Sequence, residues 1–363
     1  MTDPLLFVAH TGQRSGAEKV MLALIDHALS EGRRVIVACP DGPLADALPG
    51  EVARLVVPLL GMQGQQGVRR VLGLASLPVR WARAGARIRR AQSTEHARVV
   101  CNSLFALPAV SLAVAGTRRA GRAAWLVHDT LSSRRQILVA RLGRPGVGTA
   151  VAVSCATAEP VRALGFRTVV ARNGVSVGER RRDLAGPGAS RVGILASITE
   201  WKGHRILLEA VSRIPDVRLD IAGTPFPGDE AFLDELRTRA AMPDLRGRVV
   251  FLGHVPPAQV LDTWDVLVSA STSPEAGPLG VLEAMAHGVP VLGTDHGGTA
   301  EYLADGAGVL VRPGDPEALA EALTRLLDDP VARREISDIA RQRVLSLHDI
   351  DRTLPDMASA LWA

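Results

Sequence analysis

Residues 271–298 read S-T-S-P-E-A-G-P-L-G-V-L-E-A-M-A-H-G-V-P-V-L-G-T-D-H-G-G. Glu275 and Glu283 stand eight positions apart, with Pro278 between them in a Gly/Pro-rich turn. Proline is tolerated at the first helical position, where its missing N–H would be unsatisfied anyway. The spacing therefore predicts a helix from Pro278 to His287, closed by Gly288 and Pro290. Apolar runs on either side, 266–269 and 289–292, read as buried strands. The helix thus opens at the carboxyl end of a strand, where free N–H groups and a positive partial charge attract an anion. A phosphate bound there would have a carboxylate on each flank, and carboxylates accept hydrogen bonds from sugar hydroxyls. A phosphate flanked by hydroxyl-rich rings describes a sugar nucleotide. Taken alone, the same two residues also read as a helix cap and a solvated glutamate.

The chain has 363 residues, enough for two domains with full cores. No apolar run approaches the ~18–20 residues that span a bilayer. Asp3 and Pro4 precede the first apolar run without the basic start of a leader peptide. Cys39, Cys101 and Cys155 lack metal-type spacing and read as reduced, buried thiols, so a cytoplasmic protein is expected. Charge is uneven: residues 1–180 hold 24 Lys+Arg against 11 Asp+Glu, and the remainder 18 against 27. Such an asymmetry suggests that the two halves face different partners.

From the amino end, Leu5–Ala9 reads as a strand and leads into a loop, 10–18, that contains Gly12 and Gly16. A helix from Lys19 to Ser30 and a strand from Val35 to Ala38 follow. This βαβ opening predicts a doubly wound parallel sheet. The loop lacks the G-x-G-x-x-G spacing of a dinucleotide site. A short strand, Ala124–Val127, ends in His128-Asp129, at the carboxyl end where doubly wound folds bind ligands. Polar residues 176–190 read as an interdomain connection. A second pattern then begins: strand 192–196, helix 203–212, strand 219–222, helix 230–240, strand 249–252.

The stretch 68–91 carries seven arginines (69, 70, 80, 83, 87, 89, 90) among apolar residues, and Pro78 is expected to divide it into two helices. Two readings stay open: a solvated helix pair whose arginine stems cover apolar surface, or an element that docks on anionic lipid at the inner face of a membrane. Nucleic acid is not expected, since Trp81 alone offers base stacking there and no binding motif is present. Asp349-Ile-Asp351 spells D-x-D, but it follows a helix without a second ligand cluster and reads as a helix cap.

Several of these segments together resemble retaining glycosyltransferases of family 4. The resemblance rests on Glu275, Leu279, Leu282-Glu283-Ala284-Met285-Ala286, Gly288-Val289-Pro290-Val291 and Gly297-Gly298. It is supported by Ser15-Gly16-Ala17-Glu18, His128-Asp129, Asn173-Gly174-Val175, Lys202-Gly203 and Phe251-Leu-Gly-His254-Val255. It implies an α/β GT-B fold, with two Rossmann-like doubly wound domains facing across a cleft. The implied divisions are an acceptor-binding domain at 1–175, a linker at 176–190, a nucleotide-sugar domain at 191–348 and a helix at 349–363 that crosses back.

By the same resemblance Lys202 would bind the donor diphosphate, Glu275 with Ala276, Gly277 and Leu279 the sugar, and Glu283 the ribose. His254 and Val255 would line the base pocket, His128 would face the reacting sugar, and the loop with Gly12 and Gly16 would lie near donor phosphates and acceptor. The expected reaction is metal-independent transfer of a hexose-type sugar to a hydroxyl acceptor, with retained configuration and no cofactor. That acceptor would be a lipid-linked or cell-envelope glycan, or a secondary metabolite. The chain departs from the pattern twice: Ser197 stands where an arginine is expected, and E-A-G-P replaces E-G-F-G. These departures keep two alternatives in view, a GT-B sugar-nucleotide epimerase and a non-catalytic nucleotide-sugar-binding protein.

Overall fold

The computed structural model describes residues 3–61, 67–115, 123–178 and 190–362, with 67–71 as backbone alone. Most of the expected connection, 179–189, and the side chains of Arg69 and Arg70 lie outside the described residues. The chain divides into two compact units, residues 1–173 with 352–363, and residues 174–351.

The first unit carries a parallel sheet of seven described strands. They are β1 (Leu5–Val8), β2 (Val35–Cys39), β3 (Ala53–Val56), β4 (Arg98–Cys101), β5 (Ala123–Val127), β6 (Val147–Ala152) and β7 (Thr168–Val170). Their order is β3-β2-β1-β4-β5-β6-β7, with Phe7 in register with Val37 on one side and Val100 on the other. A parallel sheet is covered by helices on both faces, so its inner strands are apolar at every position. β1, β2 and β5 are accordingly buried throughout, whereas the edge strand β3 is largely exposed. The closing helix, Ile350–Trp362, packs Trp362 edge-on to Phe7, with ring centroids 6.4 Å apart. The Arg33 guanidinium lies 5.7 Å from the centroid of the same indole.

The second unit repeats the plan with β8 (Arg191–Leu195), β9 (Arg218–Ala222), β10 (Val249–Gly253), β11 (Val266–Ser269), β12 (Val291–Thr294) and β13 (Val309–Val311). The order is β10-β9-β8-β11-β12-β13, all parallel. Its first and last residues are tied together: the Val175 N–H donates to the His348 carbonyl at 2.9 Å, and the Ile350 N–H to Val175 at 3.1 Å. Both units are Rossmann-like. Strand order reverses between β1 and β4 and again between β8 and β11, and ligand crevices form outside the carboxyl ends at such points.

Five local expectations change, the first being Cys155, which is exposed rather than buried. Pro78 does not divide its segment: one helix runs from Gly67 to Glu95 with the proline inside. Proline removes a backbone donor and crowds the preceding turn, so the helix relies on anchors beyond it. The Trp81 indole N–H donates to the Phe105 carbonyl at 3.0 Å, Ala84 and Ile88 are fully buried, and Arg80 donates to the Gly73 carbonyl at 2.8 Å. The first helix starts at Gly16 rather than Lys19, because Ser15 and Glu18 form a capping box. Pro278 caps its helix instead of opening it, and β12 starts at Val291 because the Val289 N–H closes the helix on Ala284.

Candidate functional site

In the first unit the crevice at the β1–β4 reversal is formed by residues after β1, β4 and β5. Gly12 lets its loop lie on the Asp41 backbone, where a Cβ would stand 2.1 Å from the carbonyl oxygen. Gly16, exposed, is the first residue of the helix. Asn102 follows β4, and its Nδ2 donates to the Ala17 carbonyl at 3.3 Å. That assignment leaves Oδ1 to accept from His128 Nε2 at 3.2 Å. The structure therefore brings Gly16–Ala17, Asn102 and His128 together. Burial lowers the His128 pKa to about 3, although the residue as a whole is half-buried. Its neutral Nε2–H tautomer is the one the Asn102 oxygen fits. Asp129, beside it, accepts from the Leu104 N–H at 3.4 Å, and burial raises its pKa. Asn102 was not among the residues expected from the sequence; its position at the reversal point is the signal that finds it.

In the second unit Ser197 follows β8, and Ser271 and Glu275 follow β11, on the two strands that flank the reversal. Gly203 has φ +76, and a Cβ there would sit 1.8 Å from the Ala270 carbonyl. No other residue allows this turn to approach the end of β11. The approach delivers Lys202: its Nζ pairs with Glu275 Oε2 and lies 4.3 Å from the Trp201 ring centroid. The side chains of Lys202 and Glu275 are 14% and 7% exposed, so the pair is held largely away from water.

Ser271 Oγ donates to the other carboxylate oxygen of Glu275 at 2.5 Å. Ser271 is fixed in turn, its carbonyl accepting from Thr294 Oγ1 and His296 Nε2, each at 2.9 Å. The Glu275 backbone is clamped as well. Its carbonyl accepts from the Gly298 N–H at 2.7 Å, and a Cβ on Gly297 would come within 2.5 Å of that oxygen.

The helix Leu279–His287 opens beside Glu275, and no side chain caps its N-terminus. Ala276, Gly277 and Leu279 line the turn, half-buried, with Glu283 half-buried just over one turn inside. His254 is exposed after β10, and Val255 packs with Leu279 on one apolar cluster. Ser197 is half-buried at the end of β8, with a side chain too short to supply the expected cation. Trp201, 40% exposed, and Ser271 were not singled out from the sequence.

Residues 180–343 match the family described as glycosyl transferases group 1. The matched segment lies within the second unit.

Curated relatives resemble the chain in part. The phosphatidyl-myo-inositol mannosyltransferase of Mycolicibacterium smegmatis is 37% identical over 151 residues, 39% of this chain and 37% of that protein. The D-inositol 3-phosphate glycosyltransferase of Corynebacterium urealyticum is 31% identical over 196 residues, 49% of this chain and 46% of that protein. The matches thus span under half the length of these relatives. Over the whole chain the fold is that of Anabaena HepE, solved in complex with UDP-glucose: TM-score 0.83, 23% identity, 99% of each chain covered. This is the GT-B fold, two Rossmann-like units. The switch-point residues of the second unit, Lys202 through Glu283, all fall within the matched segment.

Asp349 Oδ1 accepts from the Asp351 N–H at 3.1 Å, the geometry of a helix cap. Among the described residues no three His, Cys, Asp or Glu side chains are grouped to hold a metal ion, and no helix is long and apolar enough to cross a membrane.

Proposed function

We propose that the chain is a retaining, metal-independent glycosyltransferase that moves a hexose-type sugar from a nucleoside diphosphate to a hydroxyl acceptor. The observation that carries the reading is the Lys202–Glu275 pair beside the uncapped helix N-terminus in the second unit. Lys202 and the N–H groups of that helix stabilise the diphosphate as it departs, where charge grows in the transition state. Glu275 accepts from the donor sugar and Glu283 from the ribose. Neutral His128 offers a polar contact to the reacting sugar, and the departing phosphate oxygen takes the acceptor proton. The bond from the anomeric carbon to the phosphate oxygen breaks on the face where the acceptor oxygen bonds.

Thermal shift against UDP-glucose, UDP-galactose, UDP-N-acetylglucosamine and GDP-mannose identifies the donor, because a bound ligand stabilises by RT ln(1 + [L]/Kd). Release of nucleotide with and without acceptor then separates a transferase from an epimerase or a binding protein. Lys202→Ala should lower turnover more than donor affinity, and turnover should survive EDTA. Loss of activity in EDTA that Mg²⁺ restores would overturn this account of the leaving group.

A lipid-linked acceptor is favoured by two helices of the first unit. Arg83 and Arg90 are exposed on the 67–95 helix beside Leu72 and Val79, 65% and 50% exposed. Arg134, Arg135 and Arg141 accompany the exposed Leu138 and Leu142 on the helix Arg134–Gly143. Apolar and basic side chains in this mixture suit an anionic lipid surface.

A further inference from the structure

The contact between Lys202 and Glu275 has a cost for any ligand that carries phosphate without sugar. Lys202 sits between the Trp201 ring and the Glu275 carboxylate. A diphosphate arriving at the helix N-terminus draws the ammonium towards itself and meets the negative charge of Glu275 close by. A bare nucleoside diphosphate therefore leaves a buried carboxylate short of a partner, which is expensive. A sugar nucleotide brings hydroxyls that donate to that carboxylate and replace the lysine.

We infer that the Lys202–Glu275 pair is a latch that couples phosphate recognition to sugar recognition, with Ser271 as its positioning residue, so that the enzyme favours an intact sugar nucleotide over the spent nucleotide. The inference rests on the reading of this site as a nucleotide-sugar site. It identifies how product is discriminated from substrate: once the sugar has left, the carboxylate reclaims the ammonium and the nucleotide is expelled. Ser271 holds one oxygen of Glu275 in both states, since its own carbonyl is anchored by Thr294 and His296.

The test is calorimetric titration of the wild type, Glu275→Gln, Ser271→Ala and Ser271→Thr with two pairs of probes, UDP against UDP-glucose and GDP against GDP-mannose. The quantity read is the ratio of the two affinities within the pair that binds. Glu275→Gln frees Lys202 and should tighten the bare nucleotide by roughly three- to tenfold while weakening the sugar nucleotide. The preference then collapses. Ser271→Ala leaves Glu275 more dependent on Lys202 and should widen the preference, and Ser271→Thr should restore it. A general loss of structure would lower both affinities and leave the ratio unmoved, so parallel changes in both ligands overturn the latch. Failure of both pairs to bind the wild type overturns the nucleotide-sugar reading itself, and the latch with it.

Discussion

Asn102 holds His128 by accepting from its Nε2 at 3.2 Å, and is itself oriented by donating to the Ala17 carbonyl at 3.3 Å. The imidazole is thereby fixed in one tautomer at the carboxyl end of β5. Asn102→Ala should leave donor affinity within about twofold and lower turnover by roughly tenfold, the worth of one ordinary hydrogen bond. Steady-state kinetics on a variant with an unchanged melting temperature checks this. A larger effect on donor affinity than on turnover would remove Asn102 from the reacting centre.

Glu283→Ala should weaken the nucleotide itself. The ribose loses a charge-assisted acceptor worth roughly 1.5–3 kcal/mol, or about ten- to hundredfold in Kd. Calorimetry on the folded variant decides, and an unchanged Kd would place the ribose elsewhere.

Stability should fall as the solution is acidified. His204 is fully buried and burial lowers its pKa from 6.5 to about 4, while the unfolded chain keeps the ordinary value. From about pH 6.5 down to about pH 4 the unfolded state therefore binds a proton that the folded state refuses. Each such group costs up to about 1.4 kcal/mol per pH unit in that window and nothing above it. Urea unfolding of the wild type and His204→Leu at pH 7, 6 and 5 measures the slope. Equal slopes would show that His204 does not carry it.

The arginines of the 67–95 helix do not act alike. Arg87 donates to the Val56 carbonyl at 2.6 Å and Arg89 to Ala113 at 2.9 Å, so both fasten the helix to its own unit. Arg83→Gln with Arg90→Gln should therefore weaken co-sedimentation with anionic vesicles while leaving the melting temperature unchanged. Salt should release the wild type as well. If the wild type does not sediment with anionic vesicles at low salt, a small soluble acceptor replaces the lipid-linked one.

What could be read beforehand followed from how local each signal is. β1, β5, β8 and β11 are apolar runs because helices cover both faces, and that pattern survives in a single sequence. β3, Ala-Arg-Leu-Val at a sheet edge, carries no such pattern and went unread. The passage of one helix through Pro78 was equally hidden, since Trp81 and Arg80 find their acceptors in distant or preceding segments. At the site, the spacing of Glu275 and Glu283 is local and legible. Lys202 entered through family likeness, but its pairing with Glu275 spans 73 residues and depends on the Gly203 turn. Ser271 is an ordinary serine until the fold places its hydroxyl on a carboxylate.

The position of Trp362 also bears on how the protein is made. The first unit needs residues from the far end of the chain, because Phe7 and Arg33 are covered by an indole that is synthesised after the whole second unit. On the ribosome the first 173 residues must wait, with that side of their sheet open, while the second unit is made. Emergence of residues 352–362 is then the step that seals the first unit. A chain stopped after Asp351 should keep a folded second unit and show rapid proteolysis confined to the first.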